Sequence, residues 1–172
     1  FVWAVLVQVN QQVLHISFLN WRWCGIDAEY VTEFAKDKVW ENNKEAFKCQ
    51  FYITGKQAFR ISRCFGKVDV IVTDSPIRLG KVYADLINRP KLGDACVEEA
   101  DVYRENSIDI LLKRVKPYNQ NGRNQTEDEA KEIDKTLKQM LTEQNVSFVE
   151  YDGNETGYNK ICNYILERLV KT

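Results

Sequence analysis

A chain of 172 residues with 44% hydrophobic content is the size of one globular domain able to bury a substantial core. Its 24 basic and 25 acidic residues leave a net charge of −1 without any block of like charge, which argues against a nucleic-acid partner and against a polybasic membrane patch. The five cysteines are odd in number, scattered and free of any CxxC pair, which argues against a disulfide framework and a zinc site and makes a reducing, cytoplasmic setting the expectation.

Residues 1–24 form an apolar run broken by Gln8, Asn10, Gln11, Gln12 and His15. The run lacks a basic leader and falls short of about 20 uninterrupted apolar residues, so neither a signal peptide nor a membrane helix is expected. A short strand follows over 28–32, with Glu33 at its C-terminal end, and then a helix carrying Phe34, Val39 and Trp40. The spacing of Phe47, Phe51, Ile53, Phe59 and Ile61 reads as helical over 45–65, interrupted at Gly55, with the aromatics Phe47, Phe51, Tyr52 and Phe59 assigned to the core. Residues 68–72 are a near-continuous apolar run, as in a buried parallel strand, ending at Thr73-Asp74-Ser75-Pro76. A second buried strand is expected over 108–115, followed by a polar, glycine- and asparagine-containing loop that reads as a mobile lid at about 114–126. Thr126 as N-cap and Glu129 three residues later predict a capping box at the head of a long helix. VSFVEYDG is a last strand and TGYNKICNYILERLV a last amphipathic helix. Strands alternating with helices, without hairpin signals, give an α/β, doubly wound parallel sheet, in which ligands bind at the strand C-termini.

That rule selects the candidate site. Strand ends supply Glu33, Asp74 and Asp152, and the lid supplies Arg114, Lys116 and Arg123. Carboxylates and cations converging on one sheet edge suit a magnesium-nucleotide and a phosphoryl group in flight. Gln57 and Arg60, three apart on one helical face, are candidates to read a substrate base or phosphate, or else an exposed helical face. His15 is the only histidine, so Ser-His-Asp and Cys-His mechanisms are excluded from the rest of the chain. Phosphoryl transfer needs no imidazole.

The segments EYVTEFAKDKVWE, GKVDVIVTDSP, LLKRVKPYNQNGRNQTEDEA and NVSFVEYDG resemble the small AAA-type P-loop kinases grouped with the ribosylnicotinamide kinase domain of NadR-like proteins, many of them phage-encoded. The resemblance covers residues 25–172. It implies a P-loop NTPase-like fold, ATP and Mg2+ as cofactors, and a small nucleoside- or nucleotide-like acceptor. It also implies that Asp74 attends magnesium and acceptor, that Glu33 receives the acceptor hydroxyl's proton, and that Arg114, Lys116 and Arg123 clamp phosphates from the lid. Deoxynucleoside kinases follow the strand acid with an arginine, whereas Ser75 and Pro76 follow here and Arg78 is the nearest substitute. A nucleotide-binding regulatory or catalytically silent homologue is the alternative, and the oligomeric state is left open.

The opening departs from that family. A strand and a GxxxxGK[ST] loop belong there, yet residues 1–24 hold no glycine and no lysine, while three of the four tryptophans crowd into them. Regrouping the codons of Trp3 to Gln12 by one base resolves the difference: the third base of each codon, joined to the first two of the next, is compatible with GGPG[A/S]GKST. The same regrouping of residues 17–23 permits the helix that follows such a loop. Residues 1–24 therefore read as an off-frame translation of a P-loop and its helix. Without the native segment, the sheet is expected either to lack its central strand or to recruit residues 5–9 as a makeshift one.

Overall fold

A computed structural model describes residues 3–7, 25–115 and 126–170, with backbone alone for 3–7 and 169–170. Lys116, Arg123 and most of the expected lid lie outside the described residues, as do residues 8–24.

Five strands form one sheet: β1 (Trp3–Val7), β2 (Ala28–Val31), β3 (Val70–Thr73), β4 (Ser107–Lys113) and β5 (Phe148–Asp152), in the order β2-β3-β1-β4-β5. All four pairings are parallel. Every strand C-terminus thus reaches the same edge. Helices α1 (Phe34–Trp40), α2 (Gln50–Ser62), α3 (Leu79–Leu86), α4 (Pro90–Asp101), α5 (Glu127–Glu143) and α6 (Glu155–Val170) connect or follow the strands.

Alternation along β3 sets up the core. Val70 and Val72 face one side, where they pack with Ile108, Ile110 and the α6 residues Tyr158, Ile161 and Ile165. Ile71 faces the other side, against Ile61, Ala100 and Tyr103. All four β3 residues are buried, which is why the strand reads as a continuous apolar run rather than an alternating one. The central position belongs to β1, where Leu6 stands between Thr73 of β3 and Asp109 of β4. The opening apolar run therefore does supply a central strand, two residues earlier than 5–9.

Several expectations need correction. Gly55 does not interrupt a helix; the break falls at Cys49, between a 3-10 turn (Lys44–Lys48) and α2, which runs straight through Gly55. The inward face of α2 is Ile53, Gln57 and Ile61, so Phe51 and Phe59, which are 71% and 64% exposed, are not core. Residues between β3 and β4 fold into α3 and α4, the latter opening on Pro90, which suits a first-turn position where no amide donor is needed. The capping box is formed as expected: the Glu129 amide donates to Thr126 Oγ1 and the Thr126 amide donates to Glu129 Oε2. Among the described residues, no helix is long and apolar enough to cross a membrane.

A polar cluster is built between β4 and the helices α3, α4 and α5. Arg78, only 4% exposed, donates to Gln144 Oε1 at 2.6 Å and to Asp101 Oδ1 at 2.7 Å. Beside it Asp109 of β4 shares a small cavity with Pro76, Leu137 and Leu141. Burial pushes the Asp109 carboxyl up to about 6, against the pull of Arg78 and Arg104. A carboxyl raised in the folded state binds a proton there that the unfolded chain has released, so its contribution to stability falls as pH rises from about 4 to about 6. Asp109→Asn is expected to stabilise the protein by about 1–2 kcal/mol at pH 7 and to have no effect below about pH 4, as read from urea unfolding across that range.

Candidate functional site

The C-terminal edge of β2 and β3 is where the predicted carboxylates meet. β2 ends at Val31, opposite Thr73 of β3. Glu33 and Asp74 therefore leave neighbouring strands at nearly the same level. Glu33 is the N-cap residue of α1, in extended conformation, and its side chain does not cap the helix. That task falls to Gln57.

Gln57 is 3% exposed. Its Oε1 accepts from the Phe34 amide at 2.8 Å, satisfying one of the first-turn donors that a helix leaves unpaired. Its Nε2 donates to Thr73 Oγ1 at 3.2 Å, and the same hydroxyl oxygen accepts from the Ser75 amide at 3.2 Å. One buried amide thus ties the residue after Glu33 to the residue before Asp74. Arg60, on the next turn of α2, donates to the Thr32 carbonyl at 3.2 Å and to Thr32 Oγ1 at 3.1 Å. It also pairs with Asp37 at 2.5 Å and lies 5.0 Å from the Phe34 ring centroid. The expectation that Gln57 and Arg60 share a face holds, but that face is turned onto the β2–α1 turn. Both amide ends of Gln57 and both terminal nitrogens of Arg60 are engaged there.

Asp74 has two unlike oxygens. Oδ2 accepts from the Tyr30 hydroxyl at 2.9 Å. Oδ1 is buried and, among the described residues, has no hydrogen-bond partner. Burial raises the carboxyl above the usual carboxylate range, opposed by Tyr30, by the amides of Asp74 and Glu33, and by the Lys36 charge. A bare buried carboxylate oxygen is costly unless something occupies it. A divalent cation is one such occupant. Mg2+ is usually held by one or two carboxylates together with phosphate oxygens and water, so Asp74 fits it. Among the described residues no cluster of three or more His, Cys, Asp or Glu is placed to form a metal cage. The nucleotide's phosphates are a different matter. A glycine-rich run of amides and a lysine would hold them after the central strand, and residues 1–24 contain neither glycine nor lysine. The residues present suit the cation and not the triphosphate.

The other predicted residues stand apart. Arg114, just past β4, makes a bidentate pair with Asp134 of α5, through Nε to Oδ2 and NH2 to Oδ1. β4 lies two strands from β3, about 10 Å across the sheet. Asp152 ends β5, three strands from Asp74 at about 14 Å, and its register partner is Lys113. Asp152 thus does not join the pair formed by Glu33 and Asp74. Arg78, the substitute considered for an arginine after the strand acid, is consumed by Gln144 and Asp101 away from this edge.

Tyr30 and Thr73 were not singled out in the sequence. Thr73 carries a usable signal, since a polar residue ending a fully apolar strand next to an acid is placed to bond locally. Tyr30 carries none, because a strand tyrosine is ordinarily a packing residue. Gln57→Leu leaves the buried Phe34 amide unpaired and removes the tie to Thr73. It is expected to lower stability by about 1–3 kcal/mol in urea unfolding, and a loss below about 0.5 kcal/mol would contradict the tie.

Comparison with curated proteins finds no match. The family model described as AAA domain matches residues 13–156, most of the chain. AAA-type P-loop domains generally bind ATP with Mg2+, and the parallel α/β sheet with its strand-end acids is consistent with that fold. The chain belongs to the AAA domain family of P-loop nucleotide-binding proteins.

Proposed function

We propose that the gene encodes an ATP-dependent kinase of a nucleoside- or nucleotide-like small molecule, on a doubly wound P-loop fold of the NadR-like type, in the cytoplasm. The observation that carries this reading is the half-satisfied Asp74 carboxylate beside Glu33, at the C-terminal edge next to the central strand. Asp74 attends magnesium and Glu33 takes the acceptor hydroxyl's proton. Arg114, Lys116 and Arg123 belong to the lid that closes on the phosphates, with Arg114 exchanging Asp134 for phosphate on closure. Gln57 and Arg60, behind the two acids, serve the substrate side by holding Glu33 at its distance from Asp74.

Residues 1–24 are, on this reading, the P-loop and its helix translated one base out of register. The central slot of the sheet is filled by Trp3–Val7, an apolar segment able to pair with β3 and β4 without supplying the loop's chemistry. As written, the chain lacks the amides and lysine that bind phosphate and spread transition-state charge. The second reading is a silent, nucleotide-binding homologue. It is favoured by the missing loop and by the pairing of Arg114 with Asp134.

The test is ADP release and ATP binding by two proteins. One is the chain as it stands, and the other is translated from the shifted frame as far as Cys24. The first is expected to bind ATP poorly and turn over negligibly. The second is expected to bind ATP and release ADP with at least one of a panel of nucleosides, nucleoside monophosphates and ribosylnicotinamide. ATP binding with silence across that panel favours the regulatory reading, and no gain in phosphate binding from the shifted frame contradicts the kinase proposal.

A further inference from the structure

We propose that Tyr30 is a positioning residue for Asp74: its hydroxyl holds one carboxylate oxygen so that the other is the atom offered to a divalent cation. The inference rests on the magnesium role given to Asp74 above. In the β2–β3 register Tyr30 stands opposite Val72, and Asp74, two residues further on, extends from the same face as Val72. The Tyr30 ring packs against the buried cluster of Val70, Val72, Ile108 and Ile165. Its body is therefore fixed, and the hydroxyl leans along the strand to reach Asp74 Oδ2 at 2.9 Å.

A carboxylate that served the fold alone would have both oxygens satisfied. Here one is held by a donor on a rigid ring, and the other is buried and, among the described residues, makes no hydrogen bond of ordinary geometry, although the amides of Asp74 and Glu33 lie near the carboxylate. Gripping Oδ2 fixes the rotation of the carboxylate and with it the direction of Oδ1. Glu33 and Lys36, on the β2–α1 turn and the first turn of α1, are the charged neighbours that share this corner. Donors to a metal-binding carboxylate generally act in this way, and their loss costs metal affinity without removing a ligand.

The probe is Mn2+ alone, added to the chain as it exists, with paramagnetic broadening of the Thr73, Asp74 and Ser75 amide signals as readout. Broadening is expected in the unaltered chain and lost in Asp74→Asn. Tyr30→Phe keeps the ring and its packing, and is expected to need about tenfold more Mn2+ for the same broadening. p-Aminophenylalanine at position 30, which returns a donor, is expected to restore the original dependence. Should Tyr30→Phe fail to fold, p-methoxyphenylalanine at position 30 keeps ring and oxygen without the proton and must show the same loss. Unchanged Mn2+ dependence in the folded variant, alongside loss in Asp74→Asn, overturns the role of Tyr30 and leaves the magnesium role of Asp74 standing. Broadening that survives Asp74→Asn, or that is absent from the unaltered chain, overturns both.

Discussion

The buried side chain of Gln57 is the constraint on which the candidate site depends. Its carbonyl takes the first amide of α1 and its amide nitrogen reaches the hydroxyl of Thr73, so one residue of α2 spans the ends of two strands. Removing either bond would leave a polar group buried and unsatisfied, which makes the span expensive to loosen. Glu33 and Asp74 sit one residue outside the two anchor points. Their separation is thus set by a helix packed behind them rather than by the turns alone. Arg60 adds a second brace through Thr32 and Asp37, and Tyr30 fixes Asp74 from the opposite face of the sheet.

Around this corner the sheet follows the logic of parallel architectures, in which all the strand C-termini open on one edge and ligands gather there. The central slot between β3 and β4 is filled by Trp3–Val7. A strand is defined by hydrogen bonds and burial, which tolerate many sequences. A phosphate loop is defined by glycine conformations and one lysine, which tolerate few. Trp3–Val7 meets the first requirement, while residues 1–24, without glycine or lysine, do not meet the second.

Local and strongly periodic features were legible in the sequence. The Thr126–Glu129 capping box needs only residues three apart, and the apolar run at Val70–Thr73 needs only burial on both faces. Features set by tertiary packing were not. Phe51 and Phe59 are as apolar as any core residue, yet α2 presents Ile53, Gln57 and Ile61 inward, so the aromatics face solvent and the glutamine is buried. Hydropathy alone would have chosen the opposite face. The place of Glu33 and Asp74 at neighbouring strand ends was legible because strand ends in a parallel sheet are few and acids there stand out. Tyr30, which bonds Asp74, and Gln57, which bonds the residues beside the two acids, were missed or misplaced, since neither a strand tyrosine nor a buried amide shows in one sequence what it bonds.

The most direct test is to read three codons of the gene. An off-frame phosphate loop requires CAG for Gln8, GTA for Val9 and AAT for Asn10, because only these regroup, together with the invariant leading bases of their neighbours, into the glycine, lysine and serine of the motif. The account predicts all three, with a compensating insertion or deletion near Cys24. CAA at Gln8, any other valine codon at Val9 or AAC at Asn10 would contradict it, and would make the chain a family member that has lost its phosphate loop.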